Sequence, residues 1–292
     1  MACFIHADQK LHYLLRGRGE PLLLIHGLGS SGADWARQVA ALEAHFHLIV
    51  PDLPGCGHSG PLPTECSIAG LATSLWRLLD QMGVRRPNIA GFSLGGAVAL
   101  EMALQRPDSV PRLALINSLA SYEVDHWRKW LEARLSAALI ALCGMSFVGR
   151  LFAVRLFPHP WQRSMRERAA SVIGAVPARG YLDLMTALEN WSATERLEQI
   201  TGRVMMIAAE HDYTPVAEKR LLAARLKADL LVIRGSRHGT PFDSVGATNA
   251  SLMALFMDQP VLSDIRQVCD QPAPVRPLAF LGSLAEEHAM GP

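Results

Sequence analysis

The sequence lacks the features that would mark several large classes of protein. It has no charge excess: 28 Lys and Arg against 27 Asp and Glu leave a formal net charge of +1 across 292 residues. A near-neutral chain offers no global field to steer a polyanion, so nucleic-acid binding is not expected. Its five cysteines, Cys3, Cys56, Cys66, Cys143 and Cys269, are odd in number and form no CxxC pair. That argues against a disulfide framework and suits a reducing, cytoplasmic compartment. No uncharged apolar run reaches the ~20 residues of a spanning helix. The longest lies between Arg134 and Arg150, from Leu135 to Gly149. The opening stretch MACFIHADQK has no long apolar core, so no signal peptide is expected. No internal repeat is visible. His45 and His47 would share one face of a strand, but nothing completes a ligand set, so no metal and no other cofactor is expected.

What the chain does have is hydrophobic substance. Half of its residues are hydrophobic and 19% are charged, the balance of a folded core rather than a disordered chain. Its length suits one α/β domain carrying an insertion.

Short apolar runs alternate with helical patterns. Pro21–Ile25, Phe46–Val50, Pro87–Phe92, Arg112–Ile116, Arg203–Ala208 and Asp229–Ile233 read as strands. Near-continuous apolar runs fit strands covered on both faces, as in a parallel sheet. Ser67 reads as an N-cap, followed by Ile68, Leu71, Leu75, Leu78, Leu79 and Met82 at helical spacing, with Gly83 as the stop. Gly95 to Arg106, ended by Pro107, and Val216 to Leu226 read as further helices. Alternating strands and helices imply βαβ crossovers. Between Ile116 and Arg203 no strand is evident, only helical material rich in Trp127, Trp130, Phe147, Phe152, Phe157, Trp161 and Trp191. Beyond Gln259 the Pro-rich stretch Gln271–Pro277 suggests loose packing, with Leu278–Leu284 as a segment that could dock on a surface.

Gly91-Phe92-Ser93-Leu94-Gly95 follows a strand and opens a helix. In that context G-x-S-x-G is a nucleophile elbow, in which a sharp turn lifts the serine hydroxyl above the sheet. Residues two before and two after the serine crowd each other, and here both are glycine. A serine hydroxyl needs a base. His238, in the loop after the last strand, returns to the sheet edge where Ser93 sits. A carboxylate must hold the imidazole's tautomer. Asp212 follows the strand Arg203–Ala208, with Glu210 as its competitor two residues earlier. Asn117 and Ser118, after the preceding strand, offer no carboxylate. Oxyanion donors are expected from the backbone N–H of Leu94 and from the glycine-rich turn His26-Gly27-Leu28-Gly29, with Leu28 as the donor and His26 as a loop support. Asp52-Leu-Pro-Gly-Cys-Gly-His-Ser59 lacks the lysine of a phosphate loop. Asp52 is expected to make structural hydrogen bonds, and Cys56 to be a loop residue rather than a nucleophile.

Taken with Glu210-His-Asp212 and Arg237-His238, these motifs resemble the serine α/β-hydrolase superfamily of small esterases over roughly residues 10–258. The resemblance implies a mostly parallel central sheet with helices on both faces, a helical cap inserted after the sixth strand, and the triad order Ser93, Asp212, His238. It divides the chain into a core of residues 1–119 and 196–260, a cap of 120–195 and a tail of 261–292. Haloalkane dehalogenases and epoxide hydrolases have aspartate at the nucleophile position, so Ser93 speaks against both. The implied activity is hydrolysis of a carboxylic ester, thioester or lactone, in the company of pimeloyl-carrier-protein methyl ester esterase. Rivals are a carbon–carbon bond hydrolase, a small-molecule sensor with little turnover, and a lipid-surface lipase whose 135–149 helix exposes its apolar face. The apolar cap suits an apolar substrate portion. Its cations, Arg128, Lys129, Arg134, Arg150, Arg155, Arg163, Arg166, Arg168 and Arg179, could meet an acidic carrier protein or coenzyme A. The plainer expectation is a solvated face balanced by Glu123, Asp125, Glu132, Glu167, Asp183 and Glu189.

Overall fold

A computed structural model describes residues 2–6, 9–123 and 127–259. The tail segments Gln271–Pro277 and Leu278–Leu284 lie outside the described residues, as do Asp125 and the side chains of Trp127, Arg128, Lys129, Trp130 and Glu132.

Among the described residues, eight strands form one sheet in the order β1-β2-β4-β3-β5-β6-β7-β8. They are β1 (Ala2–His6), β2 (Gln9–Arg16), β3 (Glu20–Ile25), β4 (Phe46–Pro51), β5 (Asn88–Phe92), β6 (Arg112–Ile116), β7 (Arg203–Ala209) and β8 (Asp229–Ile233). From β4 to β8 every pairing is parallel, whereas β1–β2 and β2–β4 are antiparallel. The edge hairpin β1–β2 was not expected from the sequence. In QKLHYLLR the alternation of Leu11, Tyr13 and Leu15 is blurred by Leu14, and its ends are charged or polar.

The apolar runs are buried on both faces, and the period of two decides which residue goes where. Leu23, Ile25, Ile49, Ile89, Leu113 and Leu115 pack with α2 (Ile68–Gln81) and α3 (Leu94–Gln105). Leu22, Leu24, Leu48, Val50, Ala90, Ala114 and Ile116 pack on the other side with α1 (Ala36–Leu42) and α9 (Val245–Phe256). Ser67 caps α2 by accepting from the Gly70 N–H at 3.1 Å, and Gly83 ends it at φ 71°. Helix α3 is buried from Leu94 to Leu104, as its near-uniform apolar sequence requires.

Between β6 and β7 the chain leaves the core to form α4 (Trp127–Leu156), α5 (Arg163–Gly174) and α6 (Ala178–Glu189). Their own small core contains Ile140, Met145, Val148 and Tyr181. Helix α4 is broken at Gly144, with φ 74° and ψ 165°. Gly149 lets α4 and α5 approach closely: a Cβ there would sit 2.8 Å from the Ala170 carbonyl oxygen. The neck of the insertion is a short antiparallel pairing, with a Ser121–Ser192 bridge and Ala193 N–H donating to the Ala120 carbonyl at 2.7 Å. Buried Glu101 on α3 anchors it, accepting from Trp191 Nε1 at 2.9 Å and Arg196 Nη2 at 2.8 Å.

One expectation about α4 needs correction. Ala137–Leu156 is a 20-residue stretch long and apolar enough to cross a membrane by length and composition alone. Counting only uncharged residues stops at Arg150 and misses it. The Gly144 break interrupts the helical path within that stretch.

Candidate active site

Ser93 stands at the turn from β5 into α3, with φ 54° and ψ −118°. That left-handed conformation is costly for a serine and holds only where its surroundings over-determine it. The glycines do so. A Cβ on Gly91 would collide with the Gly95 carbonyl, and one on Gly95 with the Ile25 and His26 carbonyls. The turn therefore closes with backbone against backbone. Ser93 N–H is held by the Ile116 carbonyl at 2.9 Å, and its own carbonyl accepts from Ser118 Oγ at 3.0 Å.

His238 Nε2 lies 2.9 Å from Ser93 Oγ, and His238 Nδ1 lies 2.8 Å from Asp212 Oδ1. The Asp212 side chain is fully buried and that of His238 nearly so. Three residues separated by up to 145 positions thus form one hydrogen-bonded chain. Burial alone would push the Asp212 carboxyl up. The hydrogen bond and charge of His238, then the charge and hydrogen bond of Lys219, outweigh it and hold the carboxyl well below the usual carboxylate range. Glu210, its competitor in the sequence, turns away and accepts from the Gly235 N–H at 2.9 Å.

The loop bearing His238 is pinned by Asn117. Its Nδ2 donates to the His238 carbonyl at 2.8 Å, and its Oδ1 accepts from Ala209 N–H at 2.7 Å. Leu94 is the first residue of α3, where a backbone N–H has no acceptor within the helix. Leu28 lies in the loop after β3, packed against both the main core and the insertion's core. His26 ties that loop down. Its Nδ1 bonds the Gly27 carbonyl at 2.9 Å, and its Nε2 accepts from Leu53 N–H at 2.9 Å. Burial lowers its proton affinity, so it sits as a neutral strut. Gly27 brings that loop against Phe92, whose ring would be 3.1 Å from a Cβ.

A family model for the alpha/beta hydrolase fold matches residues 20–245. The chain belongs to the alpha/beta hydrolase fold family. A putative carbamate hydrolase, RutD, of Caulobacter vibrioides is 30% identical over 258 residues, covering 84% of this chain and 95% of the relative. A hydrolase from Pseudomonas aeruginosa PA01 superposes with a TM-score of 0.78 at 26% identity, over 87% of this chain and 97% of the other. The enol-lactonase of Burkholderia xenovorans LB400 shares the fold, with a TM-score of 0.80 at 22% identity, covering 88% of this chain and all of that one. The relatives are hydrolases.

Two residues of this hydrolase's site were not read from the sequence. Tyr213 places its hydroxyl 2.6 Å from His238 Nε2 and packs against the imidazole at a 30° tilt, with ring centroids 4.1 Å apart. The residue as a whole is 59% exposed, while its hydroxyl turns into the site. Burial of that end, then the Asp212 charge, push the phenol well above its ordinary value, so it is a neutral donor. Ser93 and Tyr213 therefore face the same imidazole lone pair. The second residue is Lys219 on α7 (Val216–Leu226), wholly buried and ion-paired with Asp212. Its signal was available: Lys219, Leu222 and Ala223 form the buried stripe of α7, and a lysine in such a stripe requires a carboxylate.

No histidine set is apparent in the sequence, yet the fold gathers one: ligand atoms of His12, Asp52 and His58 lie within 4.8 Å of one another. Its hydrogen bonds are those of a loop clamp. Asp52 accepts from Gly32 N–H at 2.7 Å, His58 N–H at 2.8 Å and His12 Nδ1 at 2.9 Å. A metal on His12 Nδ1 would move that proton to Nε2, which is buried with no hydrogen-bond partner among the described residues. An orphaned buried donor costs about 1–3 kcal/mol. Cys56, nearby and buried, has its thiol pushed up to about 12, by burial first and the Asp52 charge second, so it is no nucleophile.

Several insertion cations are paired: Arg163 with Glu167 at 2.7 Å, Arg168 with Asp34 at 3.2 Å, and Arg179 with Asp183 at 3.9 Å. Of its aromatics, Phe157 and Trp191 are buried, whereas Phe147 and Trp161 are exposed.

Proposed function

We propose that this protein is a serine hydrolase that cleaves a carboxylic ester, thioester or lactone of a small to medium, mainly apolar substrate through an acyl-enzyme. The observation that carries the reading is the chain Ser93 Oγ–His238 Nε2 at 2.9 Å and His238 Nδ1–Asp212 Oδ1 at 2.8 Å. Ser93 attacks the carbonyl carbon while His238 takes the hydroxyl proton at Nε2. Asp212 keeps the other proton on Nδ1 and stabilises the imidazolium. The N–H groups of Leu94 and Leu28 hold the oxyanion, aided by the N-terminal end of α3. His238 returns the proton to the leaving group, and water then repeats the sequence on the acyl-enzyme.

The test is a substrate panel with Ser93→Ala in parallel: p-nitrophenyl esters from acetyl to dodecanoyl, a lactone, an aryl carbamate and a ring-cleavage diketone. The carbamate is included because the Caulobacter relative carries that name. Ser93-dependent ester turnover with a chain-length optimum supports the reading. Turnover of the diketone alone would replace it with carbon–carbon bond hydrolysis.

A second reading, docking of the insertion on an anionic lipid surface, is favoured by one observation. Leu142, Phe147, Leu151 and Val154 stand exposed on α4, Leu142 at 85%, and no Asp or Glu occurs from Ala133 to Arg166. Vesicles containing phosphatidylglycerol should then raise turnover of a long-chain ester. Equal turnover with and without them removes this second reading.

A further inference from the structure

The reaction above uses one oxygen of Asp212. The other, Oδ2, is held by Lys219 Nζ and by Thr214 Oγ1, the latter at 2.7 Å. Lys219 and Asp212 are both shut away from solvent, and Asp212 is the only carboxylate ion-paired with Lys219 among the described residues. Burial works against the ammonium, and Asp212 works to keep it.

We propose that Lys219 is a positioning residue of the triad: its ammonium shares the Asp212 carboxylate with His238, fixes that carboxylate against Nδ1 and opposes protonation of the imidazole. The inference rests on the acyl-enzyme reading of the same site. In an isolated Asp–His pair, protonating the imidazole yields a neutral ion pair. Here it yields a buried row of ammonium, carboxylate and imidazolium with a net positive charge, which a low-dielectric site disfavours. The base is thereby kept free to accept the Ser93 proton at lower pH than the pair alone would allow.

The other groups around the imidazole do not duplicate this effect. From the loop after β7 come Asp212 and the neutral Tyr213, and from the elbow Ser93 and the Phe92 ring. Asn117 is uncharged and bonds His238 through its backbone carbonyl, not its imidazole. Arg237 precedes His238, with its backbone N–H held by Asp243 of α8 (Thr240–Asp243) at 3.0 Å. Tyr122, bonded to Ser118, is neutral, its hydroxyl pushed up to about 12 by burial. Glu218 neighbours Lys219 but is exposed. Lys219 is therefore the one buried cation bonded directly to the triad carboxylate among the described residues.

The experiment compares wild type, Lys219→Met and Lys219→Arg in the pH dependence of kcat/KM for a p-nitrophenyl ester. In Lys219→Met the acid limb moves up by about one pH unit or more, while Lys219→Arg keeps the wild-type position. A limb that stays in place while the rate falls evenly at every pH would mean that Lys219 only braces the fold, and would overturn the proposal. Should Lys219→Met fail to fold, Lys219→Gln keeps a donor without the charge and carries the same expectation. A second readout needs no turnover: the downfield proton resonance of the imidazole Nδ1–H, assigned by its loss in His238→Gln, is titrated in each protein. Its midpoint rises in the uncharged variants if the proposal holds, and an unmoved midpoint overturns it. Absence of ester hydrolysis in the wild type would defeat the acyl-enzyme reading, yet this titration would still decide the role of Lys219.

Discussion

Replacing Asp212 with asparagine should damage stability as well as activity, and the amount follows from the Lys219 contact. Both side chains are fully buried, so Asp212→Asn strands an ammonium with no counter-charge. Removing one partner of a buried pair costs about 3–5 kcal/mol, mostly through the uncompensated charge left behind. For a chain of this size each kcal/mol lowers Tm by about 2–4 °C, so a fall of roughly 10 °C is expected. The double variant Asp212→Asn with Lys219→Met removes both charges and should recover most of that loss, a coupling of about 2–3 kcal/mol. Thermal melts followed by circular dichroism measure all four proteins. An Asp212→Asn protein melting within ~2 °C of wild type, or a double variant melting no higher than the single, would refute the buried-pair reasoning.

Other outcomes follow from the same geometry. Gly95→Ala should destabilise by about 3 kcal/mol or more, because its Cβ meets rigid carbonyls of Ile25 and His26 rather than a movable side chain, and urea unfolding would measure it. Tyr213→Phe removes the hydroxyl that faces the same imidazole lone pair as Ser93. It should speed phosphonylation of Ser93 by a fluorophosphonate roughly two- to tenfold; an unchanged or slower rate would show that the two hydroxyls do not compete. The depressed Asp212 carboxyl also sets a pH dependence of stability. Its contribution is present above the unfolded value of about 4 and is lost as pH falls through the lower folded value. The urea midpoint should therefore fall from pH 5 to pH 3, and fall less in the charge-free double variant.

Much of this site was legible because its chemistry is tied to backbone geometry. The Gly91–Gly95 pattern is required by carbonyls that leave no room for a Cβ, so sequence and turn specify each other. Asp212 and His238 follow the ends of β7 and β8, so strand recognition alone brought them to the Ser93 edge. Tyr213 was not legible, since an aromatic beside an aspartate in a loop says nothing of which way its hydroxyl turns. Lys219 was missed for a different reason. Its helix was read from its bounds, whereas its role lay in which face was buried. The β1–β2 hairpin escaped because edge strands carry mixed residues and a weak alternation. Along α4, charge counting hid an apolar stretch that passes through Arg150.

The central claim is covalent, so the most direct measurement is mass spectrometry of the protein quenched during turnover of a p-nitrophenyl ester, followed by peptide mapping. The account predicts one acyl group on Ser93, appearing with the first release of p-nitrophenol and absent from Ser93→Ala. Turnover with no acyl group on Ser93, or an adduct of equal yield in Ser93→Ala, would contradict it.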